Sequence, residues 1–187
     1  MKIINKILLL LILLFSLTIL ACVNQKTSSI IFPKRGEYLV KESNCSYCHT
    51  PTVESNGEIV PDTSRMFSGH PQDAPVPVIP DVSLDSEEWI EFLTTLDSTV
   101  WAGEWGITFS ANITPDKETG IGKWDRKTFI KTMRQGKHKG IGRNIQPPMP
   151  WRDYGKLSDS ELSSIFEYLQ TIKPIRNKVP KPIIFHK

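Results

Sequence analysis

Apolar positions recur with helical spacing in only four places along the chain, and those places outline a fold. The clearest lies near the C-terminus, where Leu162, Ile165, Phe166, Leu169 and Ile172 trace a stripe. Ser158 and Glu161 open it as a capping box and Pro174 stops it. A second helix is predicted from the capping residue Asp125 to Gln135, with Phe129, Ile130 and Met133 on one side and Gly136 as its stop. A third is predicted over Asp85–Asp97, where Trp89, Leu93 and Leu96 share a face and Asp85 is followed by Glu88 in capping-box spacing. A short fourth, over Arg35–Asn44, carries Tyr38, Leu39 and Val40.

Between these lie stretches without helical period. Thr50–Asp85 holds Pro71, Pro75, Pro77 and Pro80 and reads as a long ordered loop with no helix of its own. Trp101–Ile113 alternates poorly, contains two glycines and reads as an irregular hairpin or loop. The pattern divides the chain into a domain over 35–174, a proline-rich insertion with a short helix over 70–106 within it, and a basic tail over 175–187.

The N-terminus has another pattern. Lys2 and Lys6 precede the unbroken apolar run Ile7–Phe15, so residues 1–21 read as an export signal, too short for the roughly 20 apolar residues of a spanning helix. Ile19-Leu20-Ala21-Cys22 resembles the lipobox of bacterial lipoproteins. That resemblance implies a diacylated Cys22, a polar tether over 22–34, and a domain held to a membrane on the periplasmic side.

Composition adds two exclusions. The chain is 39% hydrophobic, but 16 of its apolar residues sit in the leader, so the remainder is lean for a globular domain. One small domain fits; a polytopic membrane protein and a large multidomain enzyme do not. Without Lys2 and Lys6 there are 21 basic against 20 acidic residues, which leaves no concentrated basic face for nucleic acid. Lys131, Arg134, Lys137, Lys139 and Arg143 form a local basic cluster, and Asp85, Glu87, Glu88 and Glu91 an acidic one. Ordinary solvated charge is the plain reading of both, and partner docking the functional one.

The chemistry is concentrated in Cys45-Ser46-Tyr47-Cys48-His49, a C-x-x-C-H sequence of the kind that attaches c-type haem. Two thiols at this spacing reach two vinyl groups on one porphyrin edge, while the adjoining imidazole reaches the iron from the same turn. A thioredoxin-like dithiol needs a strand before it and a helix after it. A zinc site needs a second pair of ligands at suitable spacing, and none is present. A local disulfide is the remaining use of two cysteines in an exported chain. A buried haem also accounts for the lean composition.

The opposite axial position has several candidates. Met149 stands in Gln146-Pro147-Pro148-Met149-Pro150-Trp151, where three prolines stiffen the backbone around the sulfur, and it is the favoured ligand. Met66 is the second choice. His70, in the same segment as Met66, gives a bis-histidine alternative. Met133 falls on a core-facing helix side, and His138 and the terminal His186 complete the set.

At this point the chain resembles a known family. From about Gly36 to Pro180 it is similar to monohaem c-type cytochrome domains, above all the cytochrome c subunits of bacterial periplasmic and membrane-bound dehydrogenases. The matching segments are Cys48-His49-Thr50-Pro51, Ser68-Gly69-His70-Pro71, Ala102-Gly103-Glu104-Trp105-Gly106 and Ala111-Asn112-Ile113-Thr114-Pro115-Asp116. Thr119-Gly120-Ile121-Gly122-Lys123-Trp124, Pro147-Pro148-Met149-Pro150-Trp151 and Leu157-Ser158-Asp159 follow in the same order. The resemblance implies an all-α, cytochrome c-like domain of short helices and long loops around one covalent haem c. Cys45 and Cys48 would carry it, with His49 and Met149 as axial ligands. It implies that the helix of Gly36 crosses the helix of Tyr168, and that a proline carbonyl, for which Pro61 is the candidate, accepts from the His49 ring. Trp151 is the candidate N–H donor to a haem propionate.

The expected function is electron transfer by a membrane-tethered carrier. Its Fe(III)/Fe(II) couple would work between a periplasmic dehydrogenase and a later acceptor, a terminal oxidase or another cytochrome. Substrate conversion is not expected of a haem with both axial positions filled. The rivals are a haem peroxidase or ligand-binding sensor with a displaceable sixth ligand, and a structural lipoprotein with a C-x-x-C disulfide.

Overall fold

The computed structural model describes Phe15 and residues 32–185. The expectations for Cys22, His186 and, Phe15 apart, the 1–21 leader lie outside the described residues. Among the described residues no helix is long and apolar enough to cross a membrane.

Helix α1 runs through residues 32–42 and turns at 43–44 directly into α2, Cys45–His49. A helical chain with a left-handed Asn44 (φ 49°) between the two segments redirects the backbone so that the cysteines begin a new turn. Helix α3 spans Glu87–Thr94, α4 Arg126–Gln135, α5 Trp151–Tyr154 and α6 Asp159–Thr171. Their ends follow the sequence signals closely. Asp125 accepts from the Thr128 N–H at 2.7 Å, Gly136 closes α4 at φ 61°, and Ser158 and Glu161 form the reciprocal box. For α3 the cap is Ser86, which accepts from Trp89 N at 3.1 Å, one residue beyond the Asp85 expected from the sequence.

The all-α expectation needs correction, because the loops contain two small antiparallel sheets. Strands β1 (Thr52–Ser55) and β2 (Glu58–Pro61) form a hairpin inside the stretch read as loop. Its turn is Asn56-Gly57, both at positive φ (55° and 80°), as a two-residue hairpin connection requires. Strands β3 (Val100–Gly103) and β4 (Gly106–Phe109) make a second hairpin, and β5 (Ile183–Ile184) adds to β4. The segment after 174, read as a tail, is therefore packed on the domain, and Asn177 is buried.

Two apolar clusters result. The main one joins Leu39 and Val40 of α1, Phe129 of α4, and Leu162, Ile165, Phe166 and Leu169 of α6, with Phe67 and Ile121 from the loops. Glycine at 36 is what lets α1 meet α6. A Cβ there would collide with the Ser164 carbonyl and stand 2.8 Å from Tyr168 Cβ. The smaller cluster, Val100, Ile107 and Phe109, is covered by Ile79, Phe92, Leu96 and Val179. The proline-rich insertion thus packs on a second core that it shares with β4 and the C-terminal segment.

Candidate functional site

The α2 turn holds both thiols and the imidazole on one segment, so their relative placement is set locally. Cys45 packs against the main core and Cys48 is half-buried. Burial pushes the Cys45 thiol up to about 11 and raises Cys48 as well. Both therefore stay protonated near neutrality, unlike the depressed thiols of redox catalysts.

His49 is 8% exposed. Its Nδ1 donates to the carbonyl of Ala111 at 2.7 Å. A carbonyl only accepts, so Nδ1 carries the proton and Nε2 keeps its lone pair. Burial holds the ring below the ordinary histidine range, against the smaller opposite effect of the Ala111 bond. A neutral imidazole with a fixed tautomer and a bare Nε2 is the form that binds a metal.

The acceptor on Nδ1 corrects the expectation for Pro61. That proline lies at the exposed end of β2, opposite Thr52 in the ladder. The hairpin draws it into strand pairing, and the carbonyl behind His49 comes instead from the loop after β4. The signal was present in Ala111-Asn112-Ile113-Thr114, but the sequence places it 62 residues from His49. The loop is fixed from several directions: His70 N donates to Ser110 O at 2.9 Å, Ile113 N to Phe67 O at 3.0 Å, and Gly69 N to His49 O at 2.8 Å.

Met149 is half-buried in the loop between α4 and α5. Thr108 of β4 anchors that loop, donating from Oγ1 to Pro147 O at 2.8 Å. After Met149 the chain enters α5, whose Tyr154 hydroxyl donates to Ser43 O at 3.1 Å, just ahead of Cys45. The Trp101 ring lies 6.5 Å from that of Tyr47 in α2, and its backbone carbonyl faces Thr108 Oγ1 at 3.4 Å. Tyr154 and Trp101 thus tie the Met149 loop to the cysteine turn at one end of the domain. Neither residue stood out in the sequence.

The other candidates are placed elsewhere or otherwise engaged. Met66 is 39% exposed, and Met133 packs on the main core. His138 stacks edge-on against Trp124 at 5.4 Å. His70 is 1% exposed; its Nδ1 lies 2.8 Å from Thr99 Oγ1 and its Nε2 has no partner. Its backbone is bonded to Ser110, the neighbour of the Ala111 that accepts from His49 Nδ1. Trp151 lays its indole over Gly136, where a Cβ would stand 2.5 Å from Cδ2. The indole N–H groups that are buried without a partner belong to Trp101 and Trp105.

A C-x-x-C-H turn is set against a largely helical core, with a proline-stiffened methionine loop at the same end. The chain is a relative of the cytochrome c subunits of bacterial dehydrogenases. It is 27% identical over 150 residues to the cytochrome c subunit of the quinone alcohol dehydrogenase of Gluconobacter oxydans, which covers 79% of this chain and 23% of that protein. It is 28% identical over 148 residues to the fructose dehydrogenase cytochrome subunit of Gluconobacter japonicus, again 79% and 23%. It is 28% identical over 135 residues to the gluconate 2-dehydrogenase cytochrome c subunit of Pantoea cypripedii, 72% and 22%. The chain thus spans less than a quarter of the length of these relatives. No protein-family model matches it.

Proposed function

We propose that this chain is an electron carrier, with one haem c bound through Cys45 and Cys48 and ligated by His49 and Met149. Its donor is a dehydrogenase and its acceptor a respiratory component such as a terminal oxidase or another cytochrome. The domain works on the periplasmic side, held to a membrane by lipid on Cys22. The observation that carries the reading is the His49 ring: buried, neutral, protonated at Nδ1 by its bond to Ala111, and bare at Nε2.

The remaining residues fit the same group. The two thiols stand on one turn at the spacing of thioether attachment. The unpartnered Trp101 N–H, next to Tyr47, is a buried donor that a haem carboxylate would satisfy. When bound, the haem supplies a one-electron Fe(III)/Fe(II) couple. The chain's part is to fix the imidazole, hold the methionine loop closed through Thr108, and keep water from the site with the main core.

The test is to express the chain with haem-maturation factors, stain it for covalent haem on a denaturing gel, and record ferric spectra of the native protein and Met149→Ala. The weak long-wavelength charge-transfer band of a methionine-ligated ferric haem is expected in the first and absent in the second. A band that survives the substitution moves the ligand to another methionine. A high-spin spectrum in both, with immediate azide binding, replaces the carrier by a peroxidase or sensor.

A further inference from the structure

We propose that Asn177, from the C-terminal segment, is a positioning residue for His49: it clasps the two carbonyls that flank Gly69 and so presses the loop behind Ala111 into place. The proposal rests on the reading of His49 as the iron ligand.

The geometry is specific. Asn177 Nδ2 donates to Ser68 O at 2.7 Å and to His70 O at 2.8 Å, while its Oδ1 accepts from Gln72 N at 2.8 Å. Two donors and an acceptor on one short side chain are what an amide offers and a carboxylate or hydroxyl does not. Between the two clasped carbonyls lies Gly69, in the left-handed region at φ +73°. Its N–H donates to His49 O, and a Cβ on it would collide with Ser110 O and stand 2.5 Å from the Ala111 carbonyl carbon. Gly69 is thus wedged between the backbone of His49 and the peptide that accepts from the His49 ring.

Asn177 is itself held by bonds to the chain beyond Ala111. Its N–H donates to Thr119 Oγ1 at 2.9 Å, and Asn112, the neighbour of Ala111, donates to Ile175 O at 2.8 Å. The segment 175–177 therefore grips Ala111 through both flanking loops. Ser68 and His70 are each 1% exposed, so losing the Asn177 amide leaves two buried carbonyls without donors. The loop must shift to satisfy them, and the Ala111 carbonyl shifts with it.

The consequence is electronic. A firm Nδ1–H···O bond makes the imidazole a stronger donor to its metal, which favours the ferric state. Loosening it favours the ferrous state and raises the midpoint potential.

The experiment uses the haem-bearing chain and compares it with Asn177→Ala, the milder Asn177→Ser, and Trp89→Leu, a buried substitution on α3 chosen as a control for lost stability. Midpoint potentials are read by spectroelectrochemistry, with the hyperfine-shifted proton resonances of the His49 ring as a second readout. Asn177→Ala is expected to raise the ferrous-to-ferric ratio at fixed potential by at least about threefold, equivalent to ~28 mV for a one-electron couple. Asn177→Ser should move it in the same direction, with the charge-transfer band intact and the His49 resonances displaced. Trp89→Leu at comparable thermal stability should leave both readouts in place. Unchanged potentials in the Asn177 variants, or an equal shift in Trp89→Leu, overturn the proposal and leave Asn177 a structural residue. If Asn177→Ala does not fold, Asn177→Ser decides alone. A native protein that carries no covalent haem overturns the iron-ligand reading first and this proposal with it, a result distinct from a haem protein with unmoved potentials.

Discussion

The backbone of Gly69 rests on the peptide of Ala111: a Cβ on Gly69 would stand 2.5 Å from the Ala111 carbonyl carbon and 2.7 Å from its oxygen. The same oxygen accepts from His49 Nδ1. The residue that orients the candidate ligand thus depends on a contact that no side chain can make.

Gly57 provides the comparison. It sits at φ +80° with nothing within 4 Å of a built Cβ, so Gly57→Ala measures left-handed strain alone, about 1–2 kcal/mol. Gly69→Ala adds the collision with Ser110 and Ala111 and should cost about 2–5 kcal/mol in all. Denaturant unfolding of the two variants checks the ordering. Equal losses would mean that the 68–70 loop can move away freely.

Gly36 tests the other close approach. Replacing a helical glycine by alanine gains up to about 1 kcal/mol from propensity, and here it also drives a methyl into the Ser164 carbonyl and toward Tyr168. Overpacking of this kind costs about 1–3 kcal/mol, so the contact outweighs the propensity and the variant should be less stable. A stabilised Gly36→Ala in thermal melts would show that α1 and α6 are less tightly apposed.

His70 gives a pH dependence. Thr99 donates its hydroxyl proton to Asp97, so it can only accept from His70 Nδ1, which fixes the neutral tautomer. Burial lowers the His70 pKa below 6.5, and Asp97 and Asp73 offset part of that shift. The unfolded chain therefore takes up a proton that the folded one resists. Stability from this group is complete above pH 6.5 and is lost as pH falls below it. His70→Gln should flatten the stability profile between about pH 7 and 5 relative to the native protein. An unchanged slope would assign the titration to other histidines.

Most of the helical frame was legible because its signals are local. Asp125, Gly136, Ser158 and Glu161 act within one turn of themselves, and the stripe of α6 is continuous. The C-x-x-C-H turn was legible for the same reason. The β1–β2 hairpin was missed although Asn56-Gly57 marks it, since the prolines that follow dominate the composition of that stretch. What lay beyond local reading was the partner of His49. Ala111 contributes only a carbonyl, which every residue carries, and the choice of that carbonyl depends on Gly69, Asn112 and Asn177 meeting from distant parts of the chain. The packing of residues 175–185 was hidden likewise, because Ile175, Val179 and Ile183 follow no helical period and stand among basic residues and prolines, while their partners come from distant parts of the chain.

Thr108→Val isolates the hold on the methionine loop. The substitution keeps the shape of a residue that is 6% exposed but removes the hydroxyl that donates to Pro147 O. The lost hydrogen bond is worth about 1 kcal/mol, and it stabilises the closed loop specifically. On the ligation proposed above, that energy should reappear in the haem-bearing protein as easier displacement of Met149, a gain of about fivefold in the affinity of added imidazole for the ferric iron. Thr94→Val, which removes an exposed hydroxyl bonded to Glu91 O at the end of α3, serves as the matched control and should leave that affinity unchanged. Imidazole titrations of the two variants beside the native protein decide the matter. Equal affinities in all three would mean that the prolines around Met149 hold the loop without help from β4.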